Sequence, residues 1–388
     1  MTQDPSPAMA LAWVQQCLRQ KWDPAAAGAA ARLAGLPGFD WPAALALAEA
    51  ESLSPLLYDR LRGADDMPGE VLAVLKEGYF RTASRNILLR RDRDFLLAAW
   101  SRGGIPVIVL KGAALVDSVY RNPALRPMGD LDFLIRPEDV AGACRVADAL
   151  GYRPVHVEAR AGMAAEFESE LALLKAESAF PVMVELHWSL IDSPYYRTHL
   201  AIDWYWDTAL QADLGGQPAL LLAPAAEILY LCAHQVLHHG AQQSGKLLWD
   251  HDVAELIAAT PDRIDWSALL AAARRDDLVL PLQEVLGRLL AAGPLPVPYA
   301  FLRELAALAP SAAEERVYRW LTAPVRPARQ RLWADLHSLP TWPARIAFAW
   351  HNLFPSTQYM RHRYGARHSL LLPLYYPYRW LLGLAGRR

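Results

Sequence analysis

A change of sequence pattern near residue 104 is the feature that most limits the possible fold. Residues 8–103 are rich in alanine, leucine and arginine, and their apolar residues recur at the three- and four-residue spacing of amphipathic helices. Two short apolar runs follow, IPVIVL at 105–110 and DLDFLI at 130–135, and each has the length and composition of a buried strand. The chain is therefore not expected to be all-helical, and these strands should form a sheet.

Two further strands and a return to helices complete the predicted outline. Residues 152–157 and 181–190 are predicted strands, the second because apolar residues alternate along it. Helical spacing returns from residue 224, with helices predicted at 225–239 and 247–259. We therefore predict an α+β fold in three parts: an N-terminal helical region at 1–103, a core with a small sheet at 104–222, and a C-terminal helical domain at 223–388.

Three acidic residues in the predicted strands are the candidate catalytic and metal-binding groups. Asp130 and Asp132 are two positions apart in one strand, so their carboxylates should lie on the same face. Adjacent carboxylates repel each other unless a cation lies between them, and oxygen ligands of this kind suit Mg²⁺ or Mn²⁺. If the strand that carries Glu185 pairs beside the first, three carboxylates could hold two ions about 3.5–4 Å apart.

A strand-to-helix turn upstream of the acidic pair is a candidate for binding phosphates. Lys111 and Gly112 follow the first strand, and backbone N–H groups at the start of a helix bind anions, which a glycine allows to approach closely. Lys111 would add a positive charge beside the turn, and Arg126 would do so if its loop folds over the site. The predicted nucleotide-binding residues are Lys111, Gly112, Ala113, Arg126 and Gly129.

Three stretches of the sequence carry a resemblance to a known family. They are VLKGAALVDSVYRNPALRPMGDLDFLI, VELHW at 184–188, and the segment PAAEILYLCAHQVLHHG that begins at Pro224. Together they resemble the bacterial uncharacterised nucleotidyltransferases of the DNA polymerase beta-like nucleotidyltransferase superfamily. The resemblance runs from about residue 45 to 260, and it leaves roughly the last hundred residues unmatched.

The resemblance implies a polymerase beta-like core, a small mixed sheet with helices, flanked by the two helical regions. It implies that Gly112 lies in the nucleotide turn and that Asp130, Asp132 and Glu185 are the metal ligands. One departure concerns the turn, where the superfamily usually has Gly-Ser or Gly-Gly. Here Ala113 follows the glycine, so the serine hydroxyl that often helps to hold a phosphate is absent.

The predicted reaction is transfer of a nucleoside monophosphate from a nucleoside triphosphate, with ATP the expected donor, to an acceptor, with release of pyrophosphate. Two alternatives use the same fold: a non-catalytic nucleotide-binding scaffold or regulator, and a phosphotransferase with the same two-metal site. The acceptor is left open among small molecule, peptide, protein and RNA. The net charge of −2 shows no basic excess, so long nucleic acid is the least favoured acceptor.

Three histidines are candidates for the acceptor site or for supporting the metal ligands. His187 lies two residues after Glu185 and should share its face. His234 and His238 are four residues apart on a predicted helix, as in zinc metalloproteases. That protease pattern requires a glutamate at the position of Gln235, so a protease is not expected. The alternative for these histidines is simple packing.

A second Asp-x-Asp pair, Asp250 and Asp252, lies in a predicted helix. Residues two positions apart on a helix do not face each other, so the pair is not expected to bind a metal ion. A structural role for Asp252 in the helical domain is predicted instead.

The cysteines and the two terminal segments of the sequence indicate the cellular compartment. The three cysteines are far apart and form no CxxC pair, so neither a disulfide framework nor a four-cysteine zinc site is predicted. The N-terminus lacks the pattern of a signal peptide and no segment resembles a transmembrane helix, so a cytoplasmic protein is predicted. Residues 368–388, rich in leucine and aromatic residues, either pack on the last helices or contact a membrane surface.

Overall fold

A seven-stranded mixed sheet in the middle of the chain is flanked by helices on both sides in sequence, which confirms the predicted α+β class. The computed structural model describes residues 5–64, 66–156, 168–177, 180–238, 246–323, 336, 339, 341–364 and 372–384. The strands are β1 (Ile108–Val109), β2 (Leu131–Leu134), β3 (Arg153–Pro154), β4 (Glu170–Lys175), β5 (Val182–His187), β6 (Leu210–Leu214) and β7 (Gln217–Leu221).

The sheet has the strand order β3-β4-β5-β2-β1-β7-β6. The β2–β5 and β1–β7 pairs are parallel and the other four pairs are antiparallel. The four predicted strands are present as β1, β2, β3 and β5, whereas β4, β6 and β7 were not predicted. A signal for the β6–β7 hairpin was available, since Gly215 and Gly216 both have positive φ (63° and 80°), as the two-residue turns that favour hairpins require.

The N-terminal region is helical, as predicted. A proline at its start and a side-chain cap from Asp23 fix the beginning of the second helix, and Asp40 caps the third in the same way. The long fifth helix begins at Gly69 and ends at Arg102, and Gly103 follows it as the C-cap. The helices are α1 (Pro5–Arg19), α2 (Pro24–Ala34), α3 (Trp41–Ala50), α4 (Ser54–Leu61) and α5 (Gly69–Arg102).

The remaining helices follow the first strand. Two of them continue into single π-helical turns, at Val116–Tyr120 and His234–His238, and short 3₁₀ turns lie at Pro137–Asp139 and Pro261–Arg263. None of the described helices is both long and apolar enough to cross a membrane. The helices are α6 (Lys111–Leu115), α7 (Val140–Ala149), α8 (Pro194–His199), α9 (Ile202–Asp207), α10 (Pro224–Ala233), α11 (Leu247–Ala259), α12 (Trp266–Arg275), α13 (Val279–Ala292), α14 (Tyr299–Ala307), α15 (Ala312–Leu321), α16 (Trp342–Leu353), α17 (Thr357–Tyr364) and α18 (Leu372–Leu384).

The two faces of β2 belong to different parts of the hydrophobic core. Leu131 and Phe133 are fully buried in a cluster with α5 and α7, where the Phe133 ring lies 4.9 Å from that of Trp100. On the other face, Leu134 belongs to a larger cluster that also contains α10 and the N-terminal helices. Asp132 shares this second face with Leu134 because their positions differ by two. The strand's alternation therefore directs Asp132 toward the helical regions.

A buried ion pair joins the loop before β2 to helix α11. Nη2 of Arg126 donates to Oδ2 of Asp252 at 2.7 Å, and Nε lies 3.2 Å from the same oxygen. The Tyr120 hydroxyl donates to Oδ1 of Asp252 at 2.8 Å. Asp250 binds a different partner, Arg288, at 2.8 Å. The two aspartates therefore hold separate arginines, in agreement with a structural role for Asp252.

Glu227 of α10 is a buried carboxyl group whose charge the fold does not favour. Its side chain is 4% exposed, and within the described part of the chain Oε1 has no hydrogen-bond partner. Burial, together with the nearby charge of Asp252, raises the pKa of Glu227 from 4.5 to about 8. The folded protein therefore holds a proton at pH 7 that the unfolded chain releases. This group's stabilising contribution is complete below pH 4.5 and is lost as the pH rises through 8.

We expect Glu227→Gln to increase the free energy of unfolding at pH 7 by about 3 kcal/mol, because the cost of protonating this carboxyl disappears. At pH 4 both forms are neutral, so the gain should vanish. Urea denaturation at the two pH values measures this difference. Glu304→Gln, at an exposed position of α14, is the matched control and should change little. A Glu227→Gln protein that is less stable at pH 7 would mean that Glu227 is charged and paired.

Candidate metal-ion site

The parallel pairing of β2 with β5 brings two of the predicted acids together. Asp132 lies directly beside Glu185 in the register, and Leu134 lies beside His187. Because side chains alternate along a strand, Asp132, Glu185 and His187 all lie on one face of the sheet. The sequence left the pairing of these two strands as a condition, and the parallel register meets that condition.

These three side chains form the one group of three or more possible metal ligands within the described residues. Their ligand atoms lie within 4.8 Å of one another. Nε2 of His187 is 3.0 Å from Oδ1 of Asp132 and 3.6 Å from Oε2 of Glu185. Asp132 and His187 are 2% and 3% exposed, whereas Glu185 is half-buried. Glu185 is therefore the group of the three that a substrate can approach most easily.

The ammonium of Lys111 lies against the same carboxylates. Its Nζ is 2.7 Å from Oδ1 of Asp132 and 3.9 Å from Oε2 of Glu185. Lys111 begins helix α6 with a φ of 49°, a left-handed conformation that is uncommon for a residue with a side chain. Burial opposes the charge on Asp132, but Lys111 and the hydrogen bond with His187 outweigh it and hold the pKa of Asp132 well below its usual value.

Asp130 lies just before β2 and not within it, which differs from the prediction. The strand begins at Leu131, and Asp130 occupies a bend of the preceding loop. Its carboxylate is outside the three-residue group. Burial, followed by the negative charge of Asp132, raises the pKa of Asp130 to about 6, while Lys111 opposes the shift. Asp130 is therefore electrostatically coupled to the site without being part of its closest cluster.

Glu170 is a member of the site that the sequence analysis missed. It begins β4, which pairs with β5 so that Glu170 lies beside His187, and its Oε2 is 3.0 Å from Nδ1 of His187. Burial disfavours ionisation of Glu170, but the hydrogen bond from His187 lowers its pKa to about 2. Burial also opposes protonation of His187, yet its bonds to the surrounding carboxylates raise the pKa of His187 well above its usual value. The acid at the start of ELALLK was the available signal.

The predicted phosphate turn is packed against Arg126. A Cβ atom at Gly112 would overlap the guanidinium of Arg126, so glycine allows that side chain to approach the turn closely. Arg126 itself is engaged by Asp252. Ala113 is buried, and its carbonyl accepts a hydrogen bond from the fully buried Arg93 at 2.8 Å.

The other predicted nucleotide-binding residues are differently placed. Lys111 lies at the carboxylates, as described above. Gly129 is exposed, and its carbonyl accepts a hydrogen bond from Arg85 at 3.2 Å. The structure thus places Lys111 against Asp132, and Arg126 against Gly112, the residue that follows Lys111.

Two predicted histidines lie on α10 and its π-helical extension. The rings of His234 and His238 stack with centroids 4.9 Å apart, and Gln235 between them accepts a hydrogen bond from Arg288 at 3.1 Å. Burial lowers the pKa of His238, and the charge of Glu170 opposes this shift, so His238 lies near the carboxylate cluster. One turn earlier, Tyr230 has a buried hydroxyl with no hydrogen-bond partner in the described residues.

Tyr230 lies close to the charged site. Burial raises the pKa of its hydroxyl well above the usual value, and the positive charge of Lys111 opposes that shift. Buried hydroxyl groups are normally hydrogen-bonded, so one without a partner in the protein marks a place where a ligand or water can bind. The sequence analysis did not select Tyr230. Its position four residues before His234 on the same helix was the only available signal.

Comparison with known proteins supports the class of protein that this site suggests. Residues 37–291 match a family model described as an uncharacterised nucleotidyltransferase. The match covers more than half of the chain, and the chain therefore belongs to that family. A search of curated protein sequences gave no match. The chain is also similar to the crystal structure of an antigenic nucleotidyltransferase-like protein from Paracoccidioides brasiliensis, with 15% identity, 59% of this chain and 96% of that chain covered, and a TM-score of 0.34.

Proposed function

We propose that this protein is a metal-dependent nucleotidyltransferase that moves a nucleoside monophosphate, AMP in the simplest case, from a nucleoside triphosphate to an acceptor. The observation that carries the proposal is the parallel register that places Asp132 beside Glu185, with His187 on the same face. Family membership supports the reaction class. The proposed catalytic core is a polymerase beta-like unit at 104–222, a range that contains every strand found in the described residues.

The donor groups fit a divalent cation. Two carboxylates and an imidazole converge, and Lys111 and His187 already supply positive charge to Asp132 at the same place. The proposed ligands are Asp132 and Glu185, with Asp130 completing the set and His187 orienting Asp132 through their hydrogen bond. Mg²⁺ and Mn²⁺ suit carboxylate-rich sites, and three carboxylates allow two ions. Bound there, such ions would neutralise triphosphate charge and polarise the reacting phosphoryl group.

In the proposed reaction, one bond to the α-phosphorus forms and another breaks. The acceptor oxygen forms a bond to the α-phosphorus, the bond from that phosphorus to the bridging oxygen breaks, and pyrophosphate leaves. Glu185 is the proposed base for the acceptor proton because it is the more accessible of the two carboxylates in the group of Asp132, Glu185 and His187. Lys111 is proposed to pair with phosphate oxygens. The proposed acceptor contacts are His238 and the Tyr230 hydroxyl, while His234 packs behind them.

The test is incubation with Mg²⁺ or Mn²⁺ and each nucleoside triphosphate labelled at the α-phosphate, with a cell lysate as the source of acceptor. Label on a lysate component supports nucleotidyl transfer and allows the acceptor to be identified. Label that appears only as nucleoside diphosphate would indicate phosphoryl transfer. Metal-dependent nucleotide binding without any product would indicate a binding protein.

A further inference from the structure

Helix α16 exposes a row of apolar residues of the kind that helices in globular proteins usually bury. Trp342, Ile346, Trp350 and Leu353 recur at helical spacing and are 73%, 65%, 51% and 47% exposed. The opposite side of the helix packs inward through Phe348, which is 8% exposed and contacts Leu339 in a small local cluster. The helix therefore has two apolar sides, and among the described residues only the side with Phe348 packs against the rest of the chain.

Helix α18 repeats this arrangement. Leu374, Tyr378 and Leu381, spaced by four and three residues, are 65%, 50% and 65% exposed. Its inner side packs on α17, where the rings of Tyr375 and Tyr364 stack with centroids 5.4 Å apart. The exposed row is again apolar, although the helix is already held in place by other contacts.

The two exposed rows adjoin. Nε1 of Trp380 on α18 donates to the carbonyl of Leu353 on α16 at 2.9 Å. The Phe354 ring lies 4.4 Å from Trp350 and 5.5 Å from Trp380. Together the rows form one surface, here named the C-terminal apolar surface and made up of Trp342, Ile346, Trp350, Leu353, Leu374, Tyr378, Trp380 and Leu381.

The stretch of sequence that carries this surface has charges of a single sign. Residues 341–388 contain seven arginines and no aspartate or glutamate. Since the whole chain has a net charge of −2 and these residues carry +7, the remaining 340 residues carry −9. Arg361 and Arg363 on α17 are exposed, and the guanidinium of Arg345 lies 5.3 Å from the centre of the Trp342 ring. A partner for this surface must therefore be both apolar and anionic.

We propose that the C-terminal apolar surface docks on an anionic lipid bilayer. Tryptophan and tyrosine favour the membrane–water interface, and arginines beside them are attracted by anionic headgroups. Helices α16 and α18 have 12 and 13 residues, and helices with this pattern lie in the plane of the interface. Residues 368–388 are already a candidate for membrane contact from their leucine and aromatic content. The structure adds α16 and α17 to that surface.

This surface is separate from the catalytic proposal. It lies outside residues 37–291, the part that matches the nucleotidyltransferase family. A partner that binds through acidic side chains would satisfy the arginines. The continuous exposed tryptophan and leucine rows, however, fit the acyl boundary of a bilayer better. Membrane docking and nucleotidyl transfer can therefore fail independently of each other.

The experiment is co-sedimentation of the full-length protein with two kinds of vesicle: phosphatidylcholine alone, and phosphatidylcholine mixed two to one with phosphatidylglycerol. We expect strong binding to the anionic vesicles, weak binding to the neutral ones, and loss of binding in high salt. Arg361→Gln with Arg363→Gln should weaken binding to anionic vesicles on the order of tenfold or more, since each arginine near such a surface contributes about fivefold. Ile346→Ser with Trp350→Ser should weaken binding to both kinds of vesicle.

Helix α5 provides the matched control. Phe80 and Ile87 are 55% and 57% exposed, so Phe80→Ser with Ile87→Ser removes a similar apolar area elsewhere on the chain and should leave vesicle binding unchanged. If the α16 variant loses its circular dichroism signal, Leu374→Ser with Leu381→Ser on α18 replaces it. Equal binding to neutral and anionic vesicles, or equal losses in the α5 control, would overturn the proposal. So would a dimer that the α16 variant abolishes while vesicles bind neither protein.

Discussion

Asp132→Asn is expected to reduce nucleotidyl transfer on the order of 10³-fold or more, a loss of about 4 kcal/mol in transition-state stabilisation. Asp132 is the most enclosed carboxylate of the site, and its oxygen Oδ1 is shared by Lys111 and His187. An amide keeps the shape of the side chain but removes the charge that would hold a cation. The measurement is the rate of pyrophosphate release in Mg²⁺ and in Mn²⁺, with Mn²⁺ affinity determined separately by calorimetry.

The control for this variant is Asp148→Asn, which changes an exposed aspartate of α7 that pairs with Arg153 at the surface. It should retain full activity. Because Asp132 is buried with two charged partners, its replacement can also lower stability, and Glu185→Gln supplies a second variant at a half-buried position. Glu185→Gln leaves both partners of Asp132 in place. A folded Asp132→Asn protein with unchanged turnover would refute the proposed site.

The sequence predicts those features of the site that follow from local periodicity. Asp132 and Glu185 each lie in a short apolar strand, and alternation alone fixes which face of its strand each acid occupies. The pairing of those strands in parallel is a long-range property, which the sequence analysis stated only as a condition. Asp130 differs because the bend that precedes β2 extends one residue further than the acidic pair suggests.

Glu170 and Tyr230 were not predicted for one shared physical reason: each is brought to the site by contacts with parts of the chain that are distant in sequence. Strand β4 has six residues, and it brings Glu170 to the site through antiparallel pairing with β5. Tyr230 lies close to the site because α10 packs in the same hydrophobic cluster as Leu134 of β2, a contact between elements that are distant in sequence. The β6–β7 hairpin is the exception, since its Gly-Gly turn is a local signal that was overlooked.

Arg126 lies beside the predicted phosphate turn, but its guanidinium also forms a buried ion pair. The sequence analysis expected its loop to fold over the site, and its guanidinium does lie against Gly112. The structure also gives it a partner 126 positions away, Asp252, which was predicted to be structural but not paired with Arg126. Burial disfavours the charged guanidinium, yet Asp252 raises the pKa of Arg126 above its already high value. Nucleotide binding and structural support by this residue are separable by mutation.

Asp252→Ala is expected to lower the free energy of unfolding by about 3–5 kcal/mol, because it leaves the buried guanidinium of Arg126 without its counter-ion. The Tyr120 hydroxyl would lose its acceptor in the same step. Urea denaturation followed by tryptophan fluorescence measures the change. Asp262→Ala, at an exposed position just beyond the same helix, is the matched control and should stay within about 0.5 kcal/mol of the parent.

A double variant separates the two roles of Arg126. Replacing a buried ion pair by apolar residues is often close to neutral, so Arg126→Met with Asp252→Leu should recover most of the stability that Asp252→Ala loses. If Arg126 only joins the loop to α11, this double variant should transfer nucleotide with an unchanged KM. If Arg126 also contacts phosphate, KM should rise while stability is restored, because the positive charge beside Gly112 is gone. A double variant no more stable than Asp252→Ala would show that the ion pair is not what holds this loop.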